Sequence, residues 1–279
     1  MKPELEDAIW ERLTRGRPLD DLGLSHVDGR VDVRGIRAPR PSLLRTHEVA
    51  GLRIREEHGH AVVRNVTWRG IDFSDSELNR MRFFDSKIEG CRFRDAECKD
   101  WRLWGTSLDG VDFTRADLRR SVHHASEMIE CDFANAKISH VDFQGTVFVR
   151  CRFKGLLEDV LFYRNAFRGE RFPPNEMLDV DLRETELRFV EFRSLDMASV
   201  RWPSGPGYIL LDDYAATLDH LVLALEKRED AGARSVAAIL RMQRKWAGTG
   251  QKRGLISLWD IAEAGGDALV EEIRLLLHA

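Results

Sequence analysis

The sequence repeats with a period of five residues, and this period restricts the possible folds more than any other feature does. Set in fives from Ala61, the central residue is apolar from Val63 to Phe153, with the single exception of His123, and, after a slip of one residue, again from Phe162 to Trp202. The residue two places before the centre is usually small, and the residue between them is usually polar or charged. Three positions of every five therefore obey three different rules.

A five-residue period fits neither an α-helix, which repeats every 3.6 residues, nor a long β-strand, which repeats every two. A chain of short extended segments joined by turns does have such a period. Residues 1 and 3 of each five point inward, residue 2 points outward, and residues 4 and 5, rich in Asp, Gly, Arg and Asn, turn the corner. Four such sides close a square coil, and stacked coils, each about 4.8 Å above the last, pair as parallel strands. The period thus predicts a β-solenoid.

The fives ADLRR at 116–120, VDFTR at 111–115 and VDFQG at 141–145 resemble the repeats of pentapeptide-repeat proteins. The resemblance covers residues 61–202, about half of the chain. It implies a mainly β fold, a right-handed quadrilateral parallel β-helix. Counting the sides gives about seven coils.

Residues one coil apart should stack, which predicts a ladder of phenylalanines along one face of the core. A one-residue deletion within residues 156–159 lets this face continue past the slip. The ladder explains why the chain has 14 Phe and only 3 Tyr, because a phenol hydroxyl at the axis would have no hydrogen-bond partner. The predicted core ladder consists of Phe73, Phe93, Phe113, Phe133, Phe153, Phe172 and Phe192.

Both flanks of the repeats are suited to covering the exposed strand edges of a solenoid. Residues 1–60 form a predicted capping region, in which Leu5, Ile9 and Leu13 share one face of a helix and RVDVRGI at 30–36 alternates like a strand. Residues 203–279 begin with a Pro/Gly break and continue as a predicted helical segment. This segment either caps the coil, dimerises or recruits a partner.

Composition and motifs exclude several classes of protein. The chain has 43 basic and 47 acidic residues, a net charge of −4, which does not favour direct nucleic-acid binding. It contains no apolar run of membrane-spanning length and no nucleotide-binding, nucleophile-elbow or metalloprotease motif, and its four cysteines form no CxxC pair. We therefore expect a non-enzymatic, cytoplasmic protein without cofactor, bound metal or membrane association.

The resemblance implies one specific function. Pentapeptide-repeat proteins that protect DNA gyrase and topoisomerase IV from quinolones or peptide toxins imitate B-form DNA in width and charge, and they dimerise through C-terminal helices. The same role here would make the chain a non-catalytic antibiotic-resistance protein, a DNA mimic and a candidate homodimer that binds gyrase or topoisomerase IV. Its candidate contact surface is an outward acidic column of Glu77, Glu97, Asp117, Glu176 and Asp196.

Charge opposes DNA mimicry, since residues 61–202 contain 25 acidic and 23 basic side chains. The alternative is a protein-interaction scaffold in which the rod is a spacer and the C-terminal helices dock the partner.

A second candidate contact surface is an aromatic patch at Trp101 and Trp104, because Trp101 stands where the repeat favours a small residue; local repacking is the other explanation. His123, the one polar centre, is either a functional histidine or a buried one in a locally distorted coil.

Overall fold

The computed structural model describes residues 1–39, 46–49, 52–55, 61–166, 172–195, 197–247 and 251–278. The N-terminal part begins with a helix over the predicted segment, followed by two antiparallel strand pairs. Its elements are α1 (Pro3–Thr14), a short 3-10 helix (Asp20–Leu22), β1 (His26–Val27), β2 (Arg30–Asp32), β3 (Thr46–Val49) and β4 (Leu52–Arg55).

The repeats form a rod of short strands separated by corners. Its strands are β5 (Val62–Arg64), β6 (Thr67–Arg69), β7 (Ile71–Asp72), β8 (Arg82–Phe84), β9 (Lys87–Glu89), β10 (Arg102–Trp104), β11 (Ser107–Asp109), β12 (Val122–His124), β13 (Glu127–Ile129), β14 (Asp132–Ala134), β15 (Ile138–Ser139), β16 (Asp142–Gln144), β17 (Val147–Val149), β18 (Arg152–Glu158), β19 (Leu161–Tyr163), β20 (Asp181–Arg188) and β21 (Glu191–Arg193).

These strands stack into parallel sheets along the rod. One face is a seven-stranded sheet in the order β5-β8-β10-β12-β16-β19-β21, and the next face is a five-stranded sheet in the order β6-β9-β11-β13-β17. Strands β14, β15, β18 and β20 form a third sheet. Arg102 pairs with Arg82 on one side and with Val122 on the other, a spacing of 20 residues. The predicted β-solenoid is confirmed.

Each corner of the rod is a residue in the left-handed backbone region. From Asn65 to Gly155 every fifth residue has a positive φ, for example 50° at Asn65 and 59° at Asp75. Gly, Asn and Asp reach this region at the lowest steric cost, which explains their frequency at the fifth position. The next corner is Asp159, four residues after Gly155, so one side is one residue short where the sequence predicted the deletion.

The phenylalanine ladder is confirmed from Phe73 to Phe153. Successive rings are stacked nearly parallel, with centroids 5.0, 5.3, 5.3 and 4.6 Å apart. All five rings are buried, and stacked aromatic pairs add to the free energy gained from burial. The ladder is thus the apolar centre of the regular coils.

The ladder does not continue to Phe172 and Phe192, and here the sequence prediction is wrong. The buried Leu182 takes the place after Phe153, as the pairing of β18 with β20 requires. Phe192 lies on a neighbouring face, where its ring stacks on that of Phe162 with centroids 5.3 Å apart. Phe172 is only partly buried.

The cause of this error is an insertion of two whole repeats. Phe162 pairs with Phe192, a spacing of 30 residues, so this coil is ten residues longer than the regular ones. Because ten is a multiple of five, the apolar centres stay in phase and the pattern hides the insertion. The predicted count of about seven coils is corrected accordingly: about five are regular, and the enlarged coil and an incomplete last one follow.

Helix α1 covers the N-terminal end of the rod. Ile9, Trp10 and Leu13 are buried in the same hydrophobic core as the repeat centres. The Trp10 ring lies 6.1 Å from the Trp68 ring, and the Trp68 indole N–H donates a 3.0 Å hydrogen bond to the Leu13 carbonyl. Strand β2 pairs in parallel with β7, so this segment supplies an irregular first layer.

The C-terminal part forms a small helical unit with a core of its own, in which Leu218, Leu221 and Leu225 are fully buried. Asp213 precedes its first helix, but the Asp213 side chain makes no capping hydrogen bond. A short antiparallel pair of strands, not foreseen from the sequence, joins its two halves. Its described elements are β22 (Tyr208–Leu211), α2 (Tyr214–Leu225), α3 (Ala231–Ala247), β23 (Gly254–Ser257), α4 (Leu258–Gly265) and α5 (Asp267–His278).

Removing a ring from the ladder should be costly, whereas removing the ring of Phe172 should not. We expect Phe113→Ala to lower the free energy of unfolding by about 3–5 kcal/mol, because it leaves a cavity between two stacked rings. Phe172→Ala should cost less than half as much. Urea unfolding followed by circular dichroism measures both, and equal losses would contradict the placement of Phe172 outside the ladder.

Candidate protein-interaction surfaces

The structure brings together three of the five residues of the predicted acidic column. Consecutive backbone bridges join Glu77 to Glu97, Glu97 to Asp117 and Asp117 to Lys137. The three carboxylates thus lie one above another on the outside of neighbouring coils. A lysine ends the acidic run.

Each of these three carboxylates has a cation beside it. An arginine of the first layer, Arg37, lies 3.4 Å from Glu77. Hydrogen bonds from Asn79 and Lys99 lower the pKa of Glu97. Asp117 accepts two hydrogen bonds, of 2.7 and 2.9 Å, from the guanidinium of Arg119. The column therefore carries little uncompensated negative charge.

Of the other two residues of the predicted column, Glu176 does not join it. Glu176 follows the insertion and precedes Met177, whose side of the coil stacks on that of Phe148, so Glu176 belongs to a different face. Its carboxylate pairs with Arg164 at 2.6 Å. Asp196 lies outside the described residues. The ten-residue insertion is again the reason, because it moves Glu176 by two sides of the square.

Charge compensation extends over the other faces of the rod. Arginines pair with carboxylates one coil away, and each pair has one member above the other along the axis. Such exposed pairs add little to stability, but each one places a positive charge beside an acid of the rod surface. The pairs are Arg69–Glu89, Arg115–Asp95, Arg120–Asp100 and Arg150–Glu130.

The two tryptophans of the predicted aromatic patch do not share a surface, because one points into the core of the rod and the other points outward. Trp101 is fully buried, and its indole N–H donates a 2.6 Å hydrogen bond to the Leu78 carbonyl inside the core. Its ring contacts Phe93 edge to face at 5.4 Å. Trp101 is thus a core residue, whereas Trp104 faces outward and is partly exposed.

Trp104 belongs to an outer column that the sequence did not reveal. Its ring stacks on that of His124, with centroids 3.9 Å apart, and His124 Nδ1 lies 3.1 Å from Gln144 Oε1. The register places Phe84 before Trp104 in the same column. We call Phe84, Trp104, His124, Gln144 and Tyr163 the outer aromatic column.

His123 is buried in a regular coil, so the expected local distortion is not found. It pairs in register between Leu103 and Phe143, and its ring lies 4.9 Å from that of Phe143. Burial lowers its pKa to about 3, so the imidazole is neutral. It takes the place of an apolar centre.

The helical unit docks on the last strand of the seven-stranded sheet. The Arg193 guanidinium lies between the rings of Tyr163 and Trp246, at 4.8 and 4.4 Å from their centroids. The Ser194 hydroxyl donates to the Trp246 carbonyl at 2.7 Å. Apolar side chains of this unit are exposed at Leu223, Met242, Trp259 and Leu275.

Two side chains of the helical unit bind backbone amides of the last coil. The Leu187 amide donates to the Tyr208 hydroxyl at 2.8 Å, and the Phe189 amide donates to Asp260 Oδ2 at 3.1 Å. Phe189 is a corner residue with positive φ, and earlier corners such as Asp159 donate to a carbonyl of the next coil instead. Asp260 thus takes the place of a following coil.

The described chain offers neither a membrane span nor a metal centre. None of its helices combines the length and apolarity that crossing a bilayer requires. Within the same described residues, no group of three or more His, Cys, Asp or Glu side chains is arranged to hold a metal ion. All four cysteines are buried and free.

Comparison with protein families and solved structures identifies the repeat. Residues 125–156 match the family model for pentapeptide repeats, with eight copies. The chain matches no curated protein sequence.

Similar solved structures include QnrB1, a plasmid-mediated fluoroquinolone resistance protein, at 19% identity, covering 62% of this chain and 82% of that one, with a TM-score of 0.28. Rfr23 from the cyanobacterium Cyanothece is 13% identical over 61% of this chain and 87% of that one, with a TM-score of 0.23. HetL from the cyanobacterium Nostoc is 12% identical over 52% and 84%, with a TM-score of 0.21.

The buried carboxylate of Asp260 should make stability depend on pH. Burial raises its pKa to about 6 from 3.8, so the folded state holds the proton more tightly than the unfolded state does. Stability is therefore lost as the pH rises from about 4 to 6, by up to about 3 kcal/mol at roughly 1.4 kcal/mol per pKa unit. Arg188 and Glu263 are the charged neighbours of this group.

We expect the unfolding free energy of Asp260→Asn, relative to wild type, to rise between pH 4.5 and 7.5 in urea titrations. Asp181→Asn is the control. Hydrogen bonding to Arg183 lowers the pKa of Asp181 to about 2, so the contribution of Asp181 is constant over this range. A flat difference for both variants would show that the Asp260 carboxylate is not buried in the folded protein.

Proposed function

We propose that this pentapeptide-repeat protein acts by binding another protein along its β-helix, and that its most specific candidate partner is a type II topoisomerase. The observation that carries the proposal is the seven-stranded parallel sheet, which holds outward side chains of successive coils in straight columns. A rod of this kind presents an extended, preorganised surface, and preorganisation reduces the entropy lost on binding. The role is that of a binder and not of a catalyst.

The topoisomerase proposal is supported by the repeat family. Pentapeptide-repeat proteins that protect gyrase bind it as a DNA-like rod, and one structure similar to this chain is that of a fluoroquinolone resistance protein. The charge pairs described above weigh against a phosphate-like field. Binding by this chain would therefore rest on the shape of the rod and on Trp104 and Gln144, the partly exposed members of the outer aromatic column, with less salt dependence than a polyacidic mimic shows.

A second candidate function, an interaction scaffold, is favoured by the helical unit. It exposes Leu223 and Leu275 at 62% and 72% of their surface, on helices α2 and α5 whose other faces are buried. Largely exposed leucines on a folded helical surface are candidate contacts for a partner protein. In this scheme the rod is a spacer and the helices dock the partner.

A gyrase assay tests the first candidate. We expect micromolar protein to inhibit gyrase supercoiling, or to restore supercoiling in the presence of a quinolone, with Trp104→Ala weakening the effect about tenfold. Trp104 is chosen because it lies on the rod surface and is only partly buried. If micromolar excess of the protein gives no inhibition and no protection, the topoisomerase proposal is contradicted.

Paired surface variants separate the two candidates once a partner is captured. If the helical unit docks the partner, Leu223→Lys with Leu275→Lys should abolish binding in a pull-down, and Trp104→Ala should leave it unchanged. If the rod binds the partner, Trp104→Ala should abolish binding, and Leu223→Lys with Leu275→Lys should leave it unchanged. Circular dichroism of each variant controls for folding, since both leucines are mostly exposed and their replacement should not unfold the chain.

A further inference from the structure

A cavity lies where the helical unit meets the last coils of the rod. Its volume is about 470 Å³, within the range of roughly 300–1,000 Å³ that small-molecule sites occupy. The rod supplies one wall and helices α3 and α4 supply the other. Its apolar lining comes from Leu161, Phe189, Val190, Ile239 and Met242.

Asp260 lines this cavity from helix α4 with an unusual carboxylate. The residue is 5% exposed, one carboxylate oxygen accepts the hydrogen bond from the Phe189 amide, and the other, Oδ1, is buried with no hydrogen-bond partner among the described residues. An unsatisfied buried acceptor raises the free energy of the folded protein, and it does so more when the group is charged. A donor reaching Oδ1 would recover this free energy.

The other charged groups of the lining are already paired. His140 lies 3.2 Å from Asp159, and Glu191 pairs with Arg193 at 2.7 Å. Among the described residues no cation pairs directly with Asp260. Its nearest guanidinium, that of Arg188, binds Glu186 at 2.7 Å and lies over the Trp259 ring.

We propose that this cavity binds a small organic cation, an amine or guanidine with an apolar body, and that Asp260 holds its charged end. The positively charged donor satisfies Oδ1, and the apolar body fills the space beside Ile239 and Met242. An anion would meet three carboxylates, those of Asp159, Glu191 and Asp260, with only one histidine in the lining. The site is independent of the proposed partner of the rod.

Three matched probes test the charge preference: 4-phenylbutylamine as the cation, 4-phenylbutanol as the neutral analogue and 4-phenylbutyrate as the anion. The readout is the ¹H–¹⁵N spectrum of the full chain labelled with [¹⁵N]phenylalanine, because the Phe189 amide binds Asp260 directly. For a ligand of this size we expect the amine to bind with a dissociation constant of about 0.1–5 mM. The alcohol should bind at least tenfold more weakly and the acid not at all.

Three variants locate the site. Asp260→Asn should weaken the amine at least tenfold and leave the alcohol unchanged. Met242→Trp, at a half-exposed position of the lining, should block all three probes by filling the cavity. Asp219→Asn, which removes an exposed partner of Arg244 and does not line the cavity, should change nothing.

Several outcomes would overturn the proposal. These are equal binding of the amine and the alcohol, preference for the acid, no saturable shift at 10 mM amine, and amine binding that survives Met242→Trp. If Asp260→Asn does not fold, the Met242→Trp titration and the three-probe comparison on wild type still decide the question.

Discussion

Backbone pairing between residues one coil apart is the interaction on which the rest of the structure depends. A strand of three residues is too short to be stable alone, so each one is held by the strands above and below it. To bring the chain back into register after each coil, every fifth residue must turn in the left-handed region, as Asn65, Asp75 and Gly155 do. Once register is kept, side chains of one type stack on their own kind, and the ladder from Phe73 to Phe153 follows.

Sequence reasoning succeeded where the period alone decides the structure. It predicted the strand centres, the short side after Gly155 and the helix Pro3–Thr14, because each follows from a local pattern of burial. It failed at the enlarged coil, because a five-residue period is the same whether a coil contains 20 residues or 30. The physical signal was Pro173 and Pro174, since two prolines cannot donate the hydrogen bonds that a side of the coil needs.

The same limit explains the surface predictions. The acidic column was predicted from the five-residue phase alone. The structure aligns Glu77, Glu97 and Asp117 as predicted, but it does not align Glu176, which lies beyond the insertion. The outer aromatic column occupies the position after each centre, which the repeat rule assigns to a turn of no fixed chemistry. Only a comparison of residues 20 apart, such as Trp104 with His124, shows that the position carries stacked rings. Similarly, stacked carboxylates repel one another, and neighbours such as Arg119 relieve this repulsion, which leaves the acidic column with little uncompensated negative charge.

The C-terminal end of the rod explains why a carboxylate is buried at all. A solenoid that simply stopped would leave backbone amides of its last coil without acceptors, and such edges also pair with other chains. Tyr208 and Asp260 supply the missing acceptors to Leu187 and Phe189, so the helical unit does for the last coil what the next coil does elsewhere. A carbonyl oxygen would do this without charge, whereas Asp260 brings a second oxygen and a negative charge into an apolar wall. Because that charge raises the free energy of the folded state above pH 6, either a proton or a cation bound in the adjoining cavity stabilises the junction between helices and rod. The end of the rod is therefore the one place in the described chain where covering a strand edge and binding a small cation depend on the same side chain.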